Sequence, residues 1–259
     1  MANKDERIKQ LLSIMKKNTA VSIRDLTEVL GVSEMTVRRD LNDLETKGVV
    51  TLLHGGAVLN KENYFDSYEK PYQLAAEGAR HLEEKKKIGR AAAALIAENE
   101  TLIIDSGSTT EWLARSIPDT LPLRCLCWAM NILMELHRKD QATVTFAGGE
   151  LHRNTLMFES PEGLSLIRRY RGTKAFFSAG GIHPELGVTS ATSYETEAKQ
   201  AALASSLKKV LLADSSKFGQ VSASYYADLG SFSTIITDSA ITSEYRNIIE
   251  SLGIELIIA

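Results

Sequence analysis

The chain has 259 residues, 44% of them hydrophobic and 24% charged, with a formal net charge of −3. This balance is that of a soluble globular protein with room for one large domain or two unequal ones, and it argues against a uniformly basic nucleic-acid binder. No run of about 18 apolar residues is present to cross a bilayer, and the start MANKDERIKQ is charged where a signal peptide would be apolar, so a cytoplasmic protein without a membrane partner is expected. The two cysteines, Cys125 and Cys127, lie in LRCLCWA, where a strand would point both to one face; buried structural thiols fit better than a disulfide or a metal cluster. Charge is split only mildly: residues 1–57 carry nine Lys and Arg against eight Asp and Glu, leaving the remainder at −4. Individual faces must therefore decide the partner.

Ile8, Leu11, Leu12 and Met15 recur at helical spacing and predict a first amphipathic helix, with Asn18 and Thr19 as a break. Ser22 can cap a second helix, aided by Asp25 three residues on; Ile23, Leu26 and Leu30 form its buried stripe and Gly31 ends it. After a three-residue turn, Ser33 caps a third helix whose inner stripe is Val37, Leu41 and Leu44. At 100° per residue the opposite side holds Met35, Thr36, Arg38, Arg39, Asn42 and Asp43.

Two short helices joined by a glycine-bearing turn, the second capped and polar near its start, make a helix-turn-helix plan. In that plan Ser33, Met35, Thr36, Arg38, Arg39 and Asn42 are the candidate DNA-binding residues: the arginines for phosphate or guanine, Thr36 for phosphate or a thymine methyl. Gly48–Gly56 then reads as a small apolar hairpin, a wing. A solvated helix with incidental arginines explains a lone RR pair but not three spaced helices, two caps and the turn together.

The stretch LTEVLGVSEMTVRRDLNDLETKG, followed by HGGA at 54–57, resembles the DNA-binding signature of the DeoR family of bacterial transcriptional repressors. Members often carry an arginine just before HGGA; here Thr51, Leu52 and Leu53 stand there, which implies a wing that contributes less to phosphate binding.

Residues 58–75 are polar and aromatic-studded, lack sustained periodicity and contain Pro71, which marks a linker between a DNA-binding domain at 1–57 and a larger domain at 76–259. Beyond it, helical patterns alternate with apolar runs such as TLIID, LRCLCWA, TVTFAGG, KAFFSAGG, KVLLAD, TIITD and IELIIA. The predicted fold class is therefore α/β, a winged helix-turn-helix plus an effector domain built on a mainly parallel sheet covered on both faces.

Ligands of such sheets bind beyond the carboxyl ends of the strands. TLIID runs into SGSTT, which puts Asp105 at a strand tip and Gly107, Ser108, Thr109 and Thr110 in a tight loop entering a helix, a setting suited to an anion such as phosphate, with the carboxylate available to sugar hydroxyls. Other tips are Gly148-Gly149, Gly180-Gly181 and Asp214-Ser215-Ser216-Lys217, where Lys217 can pair with phosphate. Each loop alone is equally an ordinary turn. Neither G-x-x-x-x-G-K-[ST] nor a clean G-x-G-x-x-G stands after a strand, so a small phosphorylated ligand fits better than a nucleotide.

The family resemblance continues through KKKIGRAAA, IIDSGSTT, Asn131, FAGGE, AFFSAGGI, GVT and LLADSSKFG. It implies a sensor domain related to sugar-phosphate isomerases and, by motif position, effector contacts at Asp105, Gly107, Ser108, Thr109, Asn131, Gly148, Gly149, Glu195 and Lys217. Ala129-Met130-Asn131 replaces the usual Thr-Asn-Ser, and Phe176-Phe177-Ser178 replaces the common FIG. These departures, with the CW pair and FFSAGGIH, are most similar to members that repress deoxyribonucleoside operons and make deoxyribose 5-phosphate the favoured effector.

An isomerase-type enzyme with an appended DNA-binding domain is the alternative, with Asp105, Glu195 and Lys217 as base, acid and phosphate clamp. The five histidines lack metal-ligand spacing and Ser108 lacks an activating base, so no metal, cofactor or catalytic residue is expected. A DNA reader serves a sensor and not an isomerase; a homo-oligomeric repressor on double-stranded operator DNA, controlled by a phosphorylated sugar, is the expectation.

Overall fold

The computed structural model describes residues 4–17, 20–46, 49–53, 55–59 and 72–259. The predicted break at Asn18 and Thr19, the wing residues Gly48 and His54, and positions 60–71 of the predicted linker lie outside the described residues. The chain divides into two compact units, Met1–Pro71 and Tyr72–Ala259.

In the first unit, helices α1 (Lys4–Lys17), α2 (Ile23–Leu30) and α3 (Glu34–Thr46) accompany strands β1 (Ala20–Ser22), β2 (Val50–Leu53) and β3 (Gly56–Leu59). The helical stripes converge on one core. Ile8, Leu11, Leu12 and Met15 of α1 meet Ile23 and Leu26 of α2 and Val37, Leu41 and Leu44 of α3, all buried; each such side chain contributes about 1.5–3 kcal/mol. The caps form as the residue types require: the Asp25 N–H donates to Ser22 Oγ at 3.1 Å, the Thr36 N–H donates to Ser33 Oγ at 3.3 Å, and Gly31 ends α2 at φ 63°. The hairpin β2–β3 gains a third antiparallel strand, order β1-β3-β2. Three residues are too few to show a period of two, so the sequence does not announce β1.

The second unit contains strands β4 (Thr101–Ile104), β5 (Leu123–Cys127), β6 (Ala142–Phe146), β7 (Glu150–His152), β8 (Met157–Glu159), β9 (Gly172–Ser178), β10 (Gly181–His183), β11 (Gly187–Ser190), β12 (Ser206–Leu212), β13 (Ser224–Ala227), β14 (Thr234–Thr237) and β15 (Glu255–Ile258). Its helices are α4 (Leu74–Ala79), α5 (Leu82–Ala93), α6 (Ser108–Ser116), α7 (Met130–Leu136), α8 (Pro161–Arg169), α9 (Thr196–Ala204) and α10 (Ser243–Ser251). Seven strands form one parallel sheet in the order β15-β14-β12-β9-β4-β5-β6. Leu102, Ile103 and Ile104, successive residues of β4, are all fully buried, as a sheet covered on both faces demands. Two antiparallel ribbons, β10-β11-β13 and β7-β8, accompany it; their short strands occupy stretches whose sequence reads as loop.

The strand order determines where a ligand can enter. The chain steps outward from β4 through β5 to β6, then restarts at β9 on the other side of β4 and steps the opposite way through β12, β14 and β15. Loops leaving β4 and β9 therefore part company, and the crevice between them is the topological switch point.

Candidate functional sites

On α3, the side away from the core carries the residues expected to meet DNA. Met35 is 80% exposed, and Ser33, Arg38, Arg39 and Asn42 are exposed, with Thr36 half-buried. Ser33 Oγ lies 2.9 Å from Thr36 Oγ1, so this hydroxyl pair closes the cap. Arg38 holds Glu34 at 2.7 Å across one helical turn, an exposed pair worth about 0.3–0.5 kcal/mol and easily exchanged for a phosphate. Two residues on, Asp40 is fully buried and takes Arg7 of α1 at 2.6 Å, so within VRRDL the arginines face outward while the aspartate ties α1 to α3.

At the switch point, Asp105 follows β4 and is fully buried. Its Oδ2 accepts the Ser178 N–H from the β9 tip at 3.0 Å and pairs with Lys199 of α9. Lys199, equally buried, also lies 3.9 Å from Glu195 Oε2 and 5.1 Å from the centre of the Tyr226 ring, whose hydroxyl donates to Ser178 O at 2.7 Å. Burial pushes the Glu195 carboxyl above the usual carboxylate range; Lys199 opposes that shift and the Asp105 charge adds to it. Burial, with Glu195, Glu77 and Asp105 nearby, likewise raises the Tyr72 phenol. The cluster thus holds a surplus of acceptors around one buried ammonium.

The Asp105 loop turns through Gly107 at φ +145°, where an added Cβ would stand 2.7 Å from Ser178 Cβ, so glycine is required. The Gly107 carbonyl accepts from Glu111 N–H, Thr110 Oγ1 and Asn131 Nδ2 at 3.1–3.2 Å, which anchors the start of α6 and draws Asn131 to the loop. The amides of Ser108, Thr109 and Thr110 open that helix, where no carbonyl stands one turn back to receive them. Asn131 Oδ1 is buried with no partner, an acceptor free for a ligand hydroxyl.

Lys217, at the β12 tip, pairs with Glu77 of α4. Asp105 and Glu195 thus share Lys199, and Asn131 reaches the Gly107 carbonyl that precedes Ser108 and Thr109, with Lys217 on the tip of the strand beside β9. Gly148 and Gly149 stand two strands from β4, after β6. There Gly149, at φ +149°, has room for no side chain, since a Cβ would stand 2.1 Å from Glu159 O, and the Gly148 carbonyl accepts Ser160 Oγ at 2.8 Å. Sequence reasoning missed Lys199, Ser178, Tyr226, Glu77 and Lys85. Signals existed for Lys199, four residues from Glu195 on one helical face, for Ser178, which follows the apolar run at a strand tip, and for Lys85, which opens KKKIGRAAA; none existed for Tyr226 or Glu77. Among the described residues no group of three His, Cys, Asp or Glu side chains is placed to hold a metal, and no helix is long and apolar enough to cross a membrane.

Residues 7–63 match the DeoR-like helix-turn-helix domain and residues 80–239 the DeoR C terminal sensor domain. Over 253 residues the chain is 32% identical to the Deoxyribose operon repressor of Escherichia coli, covering 98% of both. Over 243 residues it is 35% identical to the Lactose phosphotransferase system repressor of Staphylococcus epidermidis, covering 92% of this chain and 93% of that one. A ribose 5-phosphate isomerase structure from Plasmodium falciparum aligns over 52% of each chain at 15% identity and a TM-score of 0.38, a likeness too distant to speak to function.

Proposed function

The chain belongs to the DeoR family of transcriptional repressors, and on that premise we propose that it represses a sugar-catabolic operon and is released from its operator by a phosphorylated sugar, with deoxyribose 5-phosphate favoured. It is a regulator rather than an enzyme, as its relatives are. Ser33, Met35, Thr36, Arg38, Arg39 and Asn42 read or grip the duplex. Paired reading helices of a homo-oligomer would meet half-sites about 34 Å apart or at multiples of that spacing.

The observation that carries the effector reading is the set of groups gathered where β4 and β9 diverge. Opening amides of α6 and the Lys217 ammonium supply positive poles for phosphate. Asn131 Oδ1 and Glu195 supply acceptors for sugar hydroxyls, while Asp105 holds Lys199 in place. Gly107 lets the loop approach, and Gly148 and Gly149 shape the wall after β6. A coupling of about 1–3 kcal/mol between effector and operator lowers operator affinity about 5–150-fold.

The test is a thermal-shift panel of sugar phosphates, repeated with operator DNA. A true inducer stabilises the free protein and loosens the complex. If deoxyribose 5-phosphate does neither while another sugar phosphate does both, the favoured effector is replaced; if none does either, the sugar-phosphate reading fails.

A further inference from the structure

Glu77 lies outside the contacts implied by the family motifs, yet it holds both cations beside the β12 tip. Its carboxylate pairs with Lys217 and stands 3.5 Å from Lys85 Nζ, which also donates to the Glu77 carbonyl at 2.5 Å. Among the described residues neither lysine forms a second ion pair. Lys85 is buried, and burial, with the Lys217 charge, lowers its pKa; burial opposes ionisation of Glu77, but the two lysines outweigh it and hold that carboxyl below its usual range. Behind them stands Asp214, fully buried, with Oδ1 on Ser216 and Oδ2 lacking any partner. Exposed Arg80, at the end of the same helix, adds a guanidinium 3.8 Å from Glu77 Oε2, so the count is three cations against two carboxylates, one carboxylate fixed at a strand tip and one riding on a helix.

That helix is lightly held. α4 has six residues, no side-chain cap and an internal glycine, a poorer helix former than alanine. Leu74 is buried and its N–H donates to Asn154 O at 2.8 Å; Gly78 rests against Ser108, where a methyl on it would lie 3.8 Å from Ser108 Cβ; Ala75, Ala76 and Ala79 are exposed. The Glu77 ion cluster is its main polar attachment. It thus places a carboxylate on the lysines next to the opening of α6.

We infer that Glu77 is an internal stand-in for the effector's phosphate: Lys217 and Lys85 form the phosphate subsite, and a phosphorylated sugar that takes them displaces Glu77 and releases α4. This rests on the sugar-phosphate reading above. A phosphate monoester outcompetes one carboxylate because it carries more charge and three oxygens, enough for both lysines and the α6 amides. α4 begins three residues after Pro71, so its release acts on the covalent connection to the DNA-binding unit.

The test compares full-length wild type, Glu77→Gln and Lys217→Gln by calorimetry with deoxyribose 5-phosphate, ribose 5-phosphate and inorganic phosphate, and by hydrogen exchange of amides 74–80. Glu77→Gln should bind a sugar phosphate at least tenfold tighter than wild type. Exchange at 74–80 should rise on binding in wild type and be raised in Glu77→Gln before any ligand is added. Lys217→Gln should also show raised exchange but lose binding, which keeps the test decisive should Glu77→Gln not fold. Equal sugar-phosphate affinity in wild type and Glu77→Gln, or protection of 74–80 unchanged in Lys217→Gln, overturns the inference and leaves the sugar-phosphate reading standing. Absence of binding by all three ligands to both wild type and Glu77→Gln overturns that reading, and the competition with it.

Discussion

Replacing Lys199 with methionine keeps the volume of the side chain and removes the ammonium from the switch-point cluster. Asp105 is then left fully buried with the Ser178 N–H and hydroxyl and the Ser106 hydroxyl but no cation. Removing one partner of a buried pair costs about 3–5 kcal/mol. Lys199→Met should therefore lose about 3–5 kcal/mol of stability. Adding Asp105→Asn should recover most of the loss, because the Asp105 charge that Lys199 balanced is then gone as well. Urea unfolding followed by tryptophan fluorescence measures this cleanly, since both tryptophans, Trp112 and Trp128, belong to the second unit. An unchanged midpoint, or a loss that Asp105→Asn does not reduce, would refute the buried-charge argument.

Arg38→Ala and Arg39→Ala should each weaken operator binding by about 1–3 kcal/mol where the side chain reads a base, or reduce the salt slope by about 1 where it grips phosphate. Sugar-phosphate affinity should stay unchanged; filter binding across a salt series checks both, and wild-type affinity and slope in both variants would remove α3 as the reading element. Glu195 sets a pH dependence of the opposite sense to a carboxylate held low by a cation, such as Glu77. Because its folded-state pKa lies above the ordinary 4.5, the folded chain keeps a proton that the unfolded chain has released, and this contribution to stability falls as pH rises from that value through the raised one. Glu195→Gln should flatten that decline; an unaltered pH profile of the urea midpoint would show that the burial of Glu195 is not felt.

Much of the DNA-binding unit was legible because its determinants are local. The stripes on α1, α2 and α3, the caps at Ser22 and Ser33 and the stop at Gly31 each depend on residues within about two helical turns of one another, so their pattern is already present in the unfolded chain. The parallel sheet was legible from apolar runs between helices, and the tip residues from the Asp, Gly and Ser that close each run. The short ribbons were not, because three-residue strands carry no period to detect.

The chemistry at the switch point belongs to tertiary structure. Asp105 and Lys199 are 94 positions apart and Glu77 and Lys217 are 140 apart, and nothing near any of them in sequence names its partner. The sequence by itself determined that this chain carries a DNA-reading helix and an α/β sensor, through local periodicity and family motifs. Only the order β15-β14-β12-β9-β4-β5-β6 decided which strand tips share a crevice, and so which charges neutralise one another there. The reason is physical: strand pairing brings distant residues within a few ångströms, where burial strengthens charge interactions that water would screen in the unfolded chain.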